Sequence, residues 1–183
     1  TAVLADGTNS VVDLSGLVST LGTAGYVTME PRNQGVIRLD TIQNLRNATL
    51  VINGSTVALP GVTNADRSSF YVGAGGVLKL QNLKKYEKNG GCNGSREWRV
   101  EGPGSVLEVG VEELTGGDCN ADQNLRLTAQ GGGALLASHV RTLNGFTAVL
   151  ADGTNSVVDL SGLASIEVAS ATIFIQARDG GEI

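Results

Sequence analysis

The chain is poor in nearly everything that builds a catalytic pocket or a nucleic-acid surface. Its 183 residues include one His, one Trp, three Tyr and three Phe, so the side chains that usually dominate globular cores and sugar-binding platforms are scarce. Basic charge is also short: 13 Lys and Arg face 18 Asp and Glu, the net charge is -5, and the longest basic cluster is Lys84-Lys85. Such a chain gives a phosphate backbone or an anionic membrane surface nothing to hold, which excludes nucleic acid as a partner. No apolar run approaches the roughly 18 residues that a membrane-spanning helix needs, so membrane insertion is not expected. The opening TAVLADGTNS lacks the basic n-region of a signal peptide and begins with Thr in place of Met. It reads as a processed product or an excised piece, with any export signal outside it.

Helix-forming pattern is missing as well. Gly, Ser, Thr and Asn interrupt every window in which apolar residues would have to recur at i, i+3, i+4 and i+7. What is abundant is glycine, 26 of 183 residues, together with short alternating segments, and these are arranged in repeats. TAVLADGTNSVVDLSGL at 1–17 recurs unchanged at 147–163, an offset of 146 residues that includes polar positions no core requires. The offset continues without a gap, with Val27 and Met29 mapping onto Ile173 and Ile175, and Arg32 and Gly35 onto Arg178 and Gly181.

A looser unit lies inside this long one: a small residue, any, apolar, any, apolar, then two residues and another apolar. The first apolar positions are Val12, Ile37, Val57, Leu78, Leu107, Leu135, Val158 and Ile183. The second are Leu14, Leu39, Leu59, Leu80, Val109, Ala137 and Leu160. Two residues before each first position stands Ser10, Gly35, Ser55, Gly76, Ser105, Gly133, Ser156 or Gly181, a corner that recurs once per unit. An alternating segment precedes each corner, with the pairs Ala2/Leu4, Val27/Met29, Leu50/Ile52, Phe70/Val72, Trp98/Val100, Leu125/Leu127, Ala148/Leu150 and Ile173/Ile175. Period-two alternation means strands with one buried face. A turn follows the second strand and carries a third apolar contact, such as Leu17, Ile42, Val62, Leu83, Val140 or Leu163.

A unit of some 20 residues cannot bury its own apolar face, whereas stacked units bury a continuous column. The expected fold is all-β: a single parallel β-solenoid over residues 1–183 with about eight rungs, right-handed by the crossover rule. Its long repeat occupies 1–146, and a second copy starts at 147. A leucine-rich-repeat horseshoe fits less well, because most units lack its Asn and their spacing is uneven.

The units SVVDLSGL, GVIRLDTI and GVLKLQNL resemble the β-strand repeats of large surface and secreted proteins, including filamentous-haemagglutinin-like adhesins. The resemblance implies an elongated, repetitive, extracellular or cell-surface protein, and it carries over no catalytic or binding residues.

A β-solenoid can also be an enzyme, as in proteins resembling pectate lyases, so the inventory of acids and bases matters. The single His139 lies off the alternating apolar positions and reads as a surface ring. The outward position between the two apolar residues of the second strand runs Asp13, Arg38, Ala58, Lys79, Glu108, Leu136, Asp159. At a rung spacing of about 4.8 Å this places Asp13 beside Arg38 and Lys79 beside Glu108, a charge ladder instead of a converging acid–base pair. The DGTNS segments offer one carboxylate each, too few for a calcium loop, and the Gly runs at 73–76 and 131–133 lack the Lys-Ser/Thr and helix of a phosphate loop. No catalytic, cofactor-binding or metal-binding residues are therefore assigned, and no cofactor is expected.

Cys92 and Cys119 lie in the two long insertions, each six residues before Trp98 or Leu125, the strand-opening residue of its rung. Equal offsets on adjacent rungs predict a disulfide between them, and hence an oxidising compartment. Sequons at Asn47, Asn53 and Asn93 are candidate N-glycosylation sites, with Asn93 favoured by its polar insertion. The expected function is a non-catalytic structural repeat of an extracellular fibre, stalk or adhesin. Its partners are further copies stacked end to end, with surface glycans or other surface proteins beyond them. The alternative is a carbohydrate-binding or polysaccharide-cleaving β-helix, which would show an aromatic platform or a carboxylate cluster on one face.

Overall fold

The computed structural model describes residues 1–20, 26–88, 94–118, 124–168 and 171–183, and their regular structure is entirely β. The chain coils so that each turn lays one strand on each of two or three faces. The first rung is β1 (Ala2–Asp6) and β2 (Val11–Asp13), the second β3 (Val27–Arg32) and β4 (Val36–Arg38), and the third β5 (Ala48–Asn53) and β6 (Thr56–Ala58). From the fourth rung on a third strand is added: β7 (Ser69–Gly73), β8 (Val77–Leu80) and β9 (Lys85–Glu87), then β10 (Arg96–Glu101), β11 (Val106–Val109) and β12 (Glu113–Thr115). The sixth rung is β13 (Leu125–Gln130), β14 (Ala134–Leu136) and β15 (Thr142–Asn144), and the seventh β16 (Thr147–Asp152), β17 (Val157–Asp159) and β18 (Ser165–Glu167). The last strand is β19 (Ile173–Arg178).

The first face is one sheet of eight strands in the order β1-β3-β5-β7-β10-β13-β16-β19, and every pairing in it is parallel. The parallel β-solenoid is thus the observed architecture. The number of complete rungs is lower than the expected eight. Six turns carry the chain from β1 to β16, which is one period of the 146-residue repeat, and a seventh ends on β19, followed only by a bridge between Val157 and Glu182.

The second face follows the corner-based alignment residue for residue. Val12 lies opposite Ile37, Val57 opposite Leu78, Leu78 opposite Leu107, Leu107 opposite Leu135, and Leu135 opposite Val158. The neighbouring column, Leu39, Leu59, Leu80, Val109, Ala137 and Leu160, is buried along its length, with Leu14 half-buried in the first rung. Fully burying one such leucine is worth about 1.5–3 kcal/mol.

Three readings of the first and third faces change. In the first rung Val3 and Ala5 turn inward, and in the seventh Val149 and Ala151 do, not Ala2/Leu4 and Ala148/Leu150. The sequence AVLA is apolar at four successive positions, so alternation cannot choose a face. Cross-strand register chooses it, because Val3 lies opposite Met29 whereas Leu4 lies opposite Glu30. In the sixth rung Leu125 and Leu127 do face the core, but Trp98 is opposite Leu127 and Val100 opposite Ala129, two residues further on. The turn expected after the second strand is present, with Ile42, Val62, Leu83 and Val140 buried, but from the fourth rung on it is followed by a third strand that the sequence reading did not foresee. Its buried column is Tyr86, Leu114 and Leu143, with the exposed Ile166 next in register, aligned by the pairing of β9, β12, β15 and β18.

Trp98, Tyr86 and Phe70 are fully buried and pack against one another. Their ring centroids are 5.4 Å apart for Phe70–Trp98 and 4.7 Å for Tyr86–Trp98, and the Tyr86 hydroxyl donates to Ser68 O at 2.8 Å. The bulkiest aromatics therefore serve packing.

Candidate functional site: corners, ladder and open ends

The corner column strictly alternates Ser and Gly from rung to rung, and the structure gives the alternation a geometric cause. In the Ser rungs a longer loop, such as Asp152-Gly-Thr-Asn-Ser156, lets the serine reach back along its own chain. Ser10 Oγ donates to Asp6 O at 2.5 Å, Ser105 Oγ to Glu101 O at 2.7 Å, and Ser156 Oγ to Asp152 O at 2.6 Å. Two of these oxygens also accept from the rung beneath: Gly75 N–H donates to Ser105 Oγ and Gly132 N–H to Ser156 Oγ, both at 3.0 Å.

In the Gly rungs the backbone tucks against the rung before it. A Cβ on Gly35, Gly76, Gly133 or Gly181 would lie closer than 3.0 Å to the carbonyl oxygen of Ala5, Ile52, Val100 or Ala151 respectively. These are backbone contacts that cannot yield, so the positions require glycine. The rungs thus come in pairs. A Gly rung sits tightly on a Ser rung, and the next Ser rung clasps the Gly rung through a shared hydroxyl.

The third rung departs from this rule. Its corner is only Asn53-Gly54-Ser55, two residues shorter than the other Ser corners, and the buried Ser55 Oγ has no partner. At this place the second face is interrupted: β2 and β4 form one sheet, β6 and its successors another. The interruption leaves a crevice of about 200 Å³ lined by residues that include Val36, Arg38, Ser55 and Thr56.

The expected charge ladder is present. Arg38 Nη1 is 3.4 Å from Asp13 Oδ2, and Lys79 Nζ is 3.1 Å from Glu108 Oε2. It extends onto the third face, where Lys84 meets Glu112 at 3.1 Å and Lys85 meets both Glu87 at 3.1 Å and Glu113 at 3.4 Å. A hydrogen bond from Gln81 and the adjacent Lys79 hold the Glu108 carboxyl below its ordinary value. Hydrogen bonds at Ser15, assisted by Arg38, do the same for Asp13.

The other singled-out residues are scattered. His139 is exposed, and Asp6 accepts a hydrogen bond from Asn33 Nδ2 at 2.9 Å. Among the described residues no group of three or more His, Cys, Asp and Glu side chains gathers. Tyr71 stands half-buried on the outer side of the first face, in a shallow depression with Asn53, Arg99 and Glu101, and burial raises its phenol pKa. Asn53 is half-buried there, whereas Asn47 is only 8% exposed and its backbone has φ of 53°. Cys92, Cys119 and Asn93 lie outside the described residues. The equal-offset premise for the disulfide does not hold, since the partner of Trp98 is Leu127 and not Leu125.

Both ends of the described coil leave core open. At the far end, a depression of about 460 Å³ is lined by residues that include Val158, Leu160, Leu163, Ile175 and Ile183. Ile175 lies in register with the buried Val149 yet is 44% exposed, β19 being the edge strand of the sheet among the described residues. Sequence reasoning identified the corner column but not the hydroxyl clasp. The signal available to it was the strict alternation of Ser and Gly.

The chain matches no family model, no curated protein and no solved structure.

Proposed function

We propose that the chain is a structural repeat segment of an extracellular fibre or cell-surface stalk, a non-catalytic spacer whose partners are further copies of the same repeat. One observation carries the reading: the 146-residue offset equals six whole turns, so the repeated sequence returns to the same place on the coil. Val3 lies opposite Met29 and Val149 opposite Ile175, in identical register. Duplication at that interval allows a rod to lengthen without a break, by about 29 Å per period at the strand spacing. The resemblance of SVVDLSGL and its relatives to the repeats of filamentous-haemagglutinin-like adhesins supports the same reading, as does the allocation of the largest aromatics to packing. Such a rod presents its outer faces to surface glycans or other surface proteins. The test is electron microscopy of the parent protein isolated from its source, with fractionation of that source. Thin rods on the cell surface or in the medium are expected; compact particles in the cytosol would reject the proposal.

A further inference from the structure

The second and third rungs meet less completely than their neighbours, and the cause can be read residue by residue. On the first face β3 pairs with β5 only from Val27–Ala48 to Met29–Leu50, although both strands run on, to Arg32 and Asn53. Alternate residues of β3 address alternate neighbours: Thr28 N–H donates to Thr1 O in the first rung at 2.9 Å, and Val27 N–H to Asn47 O in the third at 3.3 Å. By that parity the donors toward the third rung after Val27 are residues 29 and 31. Residue 31 is Pro, which has no N–H to give, and the ladder stops short of it.

The second face continues the gap. Where a second strand opens, its first N–H donates to the corner of the rung before: Val36 to Ser10 O, Val77 to Ser55 O, Val106 to Gly76 O, Ala134 to Ser105 O and Val157 to Gly133 O, all between 2.8 and 3.0 Å. Thr56, by contrast, makes no such bond to Gly35 O. Where the strand closes, Leu14 N–H donates to Arg38 O and Leu59 N–H to Lys79 O, whereas Leu39 N–H makes no such bond to Ala58 O. The short corner leaves Ser55 Oγ without a partner, and the crevice of about 200 Å³ runs from Pro31 past Gly35 and Thr56 to Leu59. Beyond it the rungs close again, with Leu45 N–H donating to Asn64 O at 2.8 Å and Thr63 N–H to Gln43 O at 3.0 Å. A proline on one face and a corner two residues short at its edge thus remove the bonding at a single interface inside the coil.

We infer that this crevice is a built-in seam at which the coil opens first, β4 parting from β6 while the Met29–Leu50 and Leu45–Asn64 contacts serve as its two hinges. Parting β6 from β8 or β8 from β11 breaks a laddered pair of strands; parting β4 from β6 breaks none. Segments with few backbone bonds to lose open at the lowest free energy, so the seam yields before the rungs on either side of it. Opening exposes Leu39 and Leu59, which lie buried beneath the crevice. The seam belongs to the coil itself and stands whether or not the chain is part of a fibre.

The test measures thiol labelling under native conditions in Leu59→Cys and Leu80→Cys, read by peptide mass spectrometry so that Cys92 and Cys119 are scored separately. Both leucines are buried in the same inward column, so a coil that stays shut protects them alike. With the seam, the thiol at 59 should label at least about tenfold faster than the thiol at 80. Inserting Thr-Asn between Gly54 and Ser55 reproduces the corner Gly153-Thr154-Asn155-Ser156 and should slow labelling at 59 to the rate at 80. Should the longer corner fail to fold by circular dichroism, Pro31→Ala, which installs the residue found 146 positions on at Ala177, returns the missing N–H and should slow it in part. Hydrogen exchange of the unaltered chain supplies a reading without substitution: residues 36–40 and 55–59 should exchange ahead of 77–80 and 106–109. Equal labelling of the two thiols, equal exchange of those segments, or labelling at 59 that neither the longer corner nor Pro31→Ala slows would overturn the seam.

Discussion

Ser156 Oγ lies 3.0 Å from the backbone nitrogen of Gly132 and 2.6 Å from the carbonyl oxygen of Asp152, so one buried hydroxyl ties its own corner to the rung beneath. Ser156→Ala removes both bonds and takes the acceptor from the Gly132 N–H, while the Asp152 carbonyl keeps the N–H of Gly131. Unsatisfied buried groups cost about 1–3 kcal/mol each in such settings. Thermal denaturation should show a clear loss of stability, and Ser105→Ala should behave alike. Ser55→Ala should cost much less, because Ser55 Oγ has no partner to lose. Equal losses at all three serines would refute the clasp.

The opposite substitution tests the other half of each pair. Gly133→Ala directs a methyl at the Val100 carbonyl, a backbone group that cannot rotate away. Overpacking of this kind costs about 1–3 kcal/mol and more where the backbone must move. An alanine variant as stable as the parent chain would show that the tuck is looser than described.

The Lys79–Glu108 pair should matter little at neutral pH, since exposed pairs contribute about 0–1 kcal/mol. Its pH dependence has a definite sign. The folded pKa of Glu108 is lowered, chiefly by Gln81 and then by Lys79, so its contribution is complete above the ordinary glutamate value and is lost as pH falls through the folded value. Acid titration of stability should therefore flatten in Gln81→Ala and Glu108→Gln. Steepening in either variant would contradict the assignment.

Tyr86 supplies the alkaline counterpart. Burial raises its phenol pKa far above the usual range, so the contribution is intact below the ordinary tyrosine value and is lost as pH rises beyond it. Ultraviolet titration should show Tyr86 ionising only together with unfolding. Tyr86→Phe should remove the hydrogen bond to Ser68 O at a cost of about 1 kcal/mol and abolish that coupled step.

How much of this was legible before the coordinates depended on how each position could be fixed in phase. The column from Val12 to Val158 was readable because a Gly or Ser corner lies two residues before every member, which pins the face. The first strand of the opening rung was not, since AVLA offers two apolar faces and only the opposing Met29 selects one. The third face was missed for a different reason: KYE, ELT, TLN and SIE each hold a single apolar residue between polar ones, too short a run for periodicity to register. Asp13–Arg38 and Lys79–Glu108 were readable because strand spacing and outward position suffice to bring them together. The meaning of Ser alternating with Gly needed the adjacency of rungs, since the N–H that each serine accepts comes from a residue 24 or 30 positions away.

Core burial gives a further expectation. Leu80 is fully buried in the middle of its column, and Leu80→Asp would place an unpaired charge there. The loss should be at least about 3 kcal/mol, the scale of an uncompensated buried charge. The same substitution at Leu14 should cost distinctly less, because its side chain is only half-buried. Chemical denaturation of the two variants measures the difference, and a Leu80→Asp protein of unchanged midpoint would contradict the packing.

Rung parity makes the least intuitive prediction. Deleting Val106–Gly133 removes one rung from corner to corner and sets the Ser105 rung directly beneath the Ser156 rung, so the Gly rung that belongs between them is gone. Deleting Val106–Ser156 removes two rungs and lets the Ser105 corner be followed by β17 and then by the Gly181 rung, which preserves the alternation. In the larger deletion β19 settles on β10, with Ile175 over Trp98 and Ala177 over Val100, two contacts of the kind that Leu127 and Ala129 make now. A solenoid's stability is approximately a sum over rungs and their interfaces, so on length alone the larger deletion should be the more damaging. If the Ser–Gly pairing governs how rungs fit, the order reverses, and the chain lacking two rungs melts at the higher temperature. Circular dichroism melts of both deletions decide the matter, and a one-rung deletion that is the more stable of the two would show that parity is not what joins the rungs.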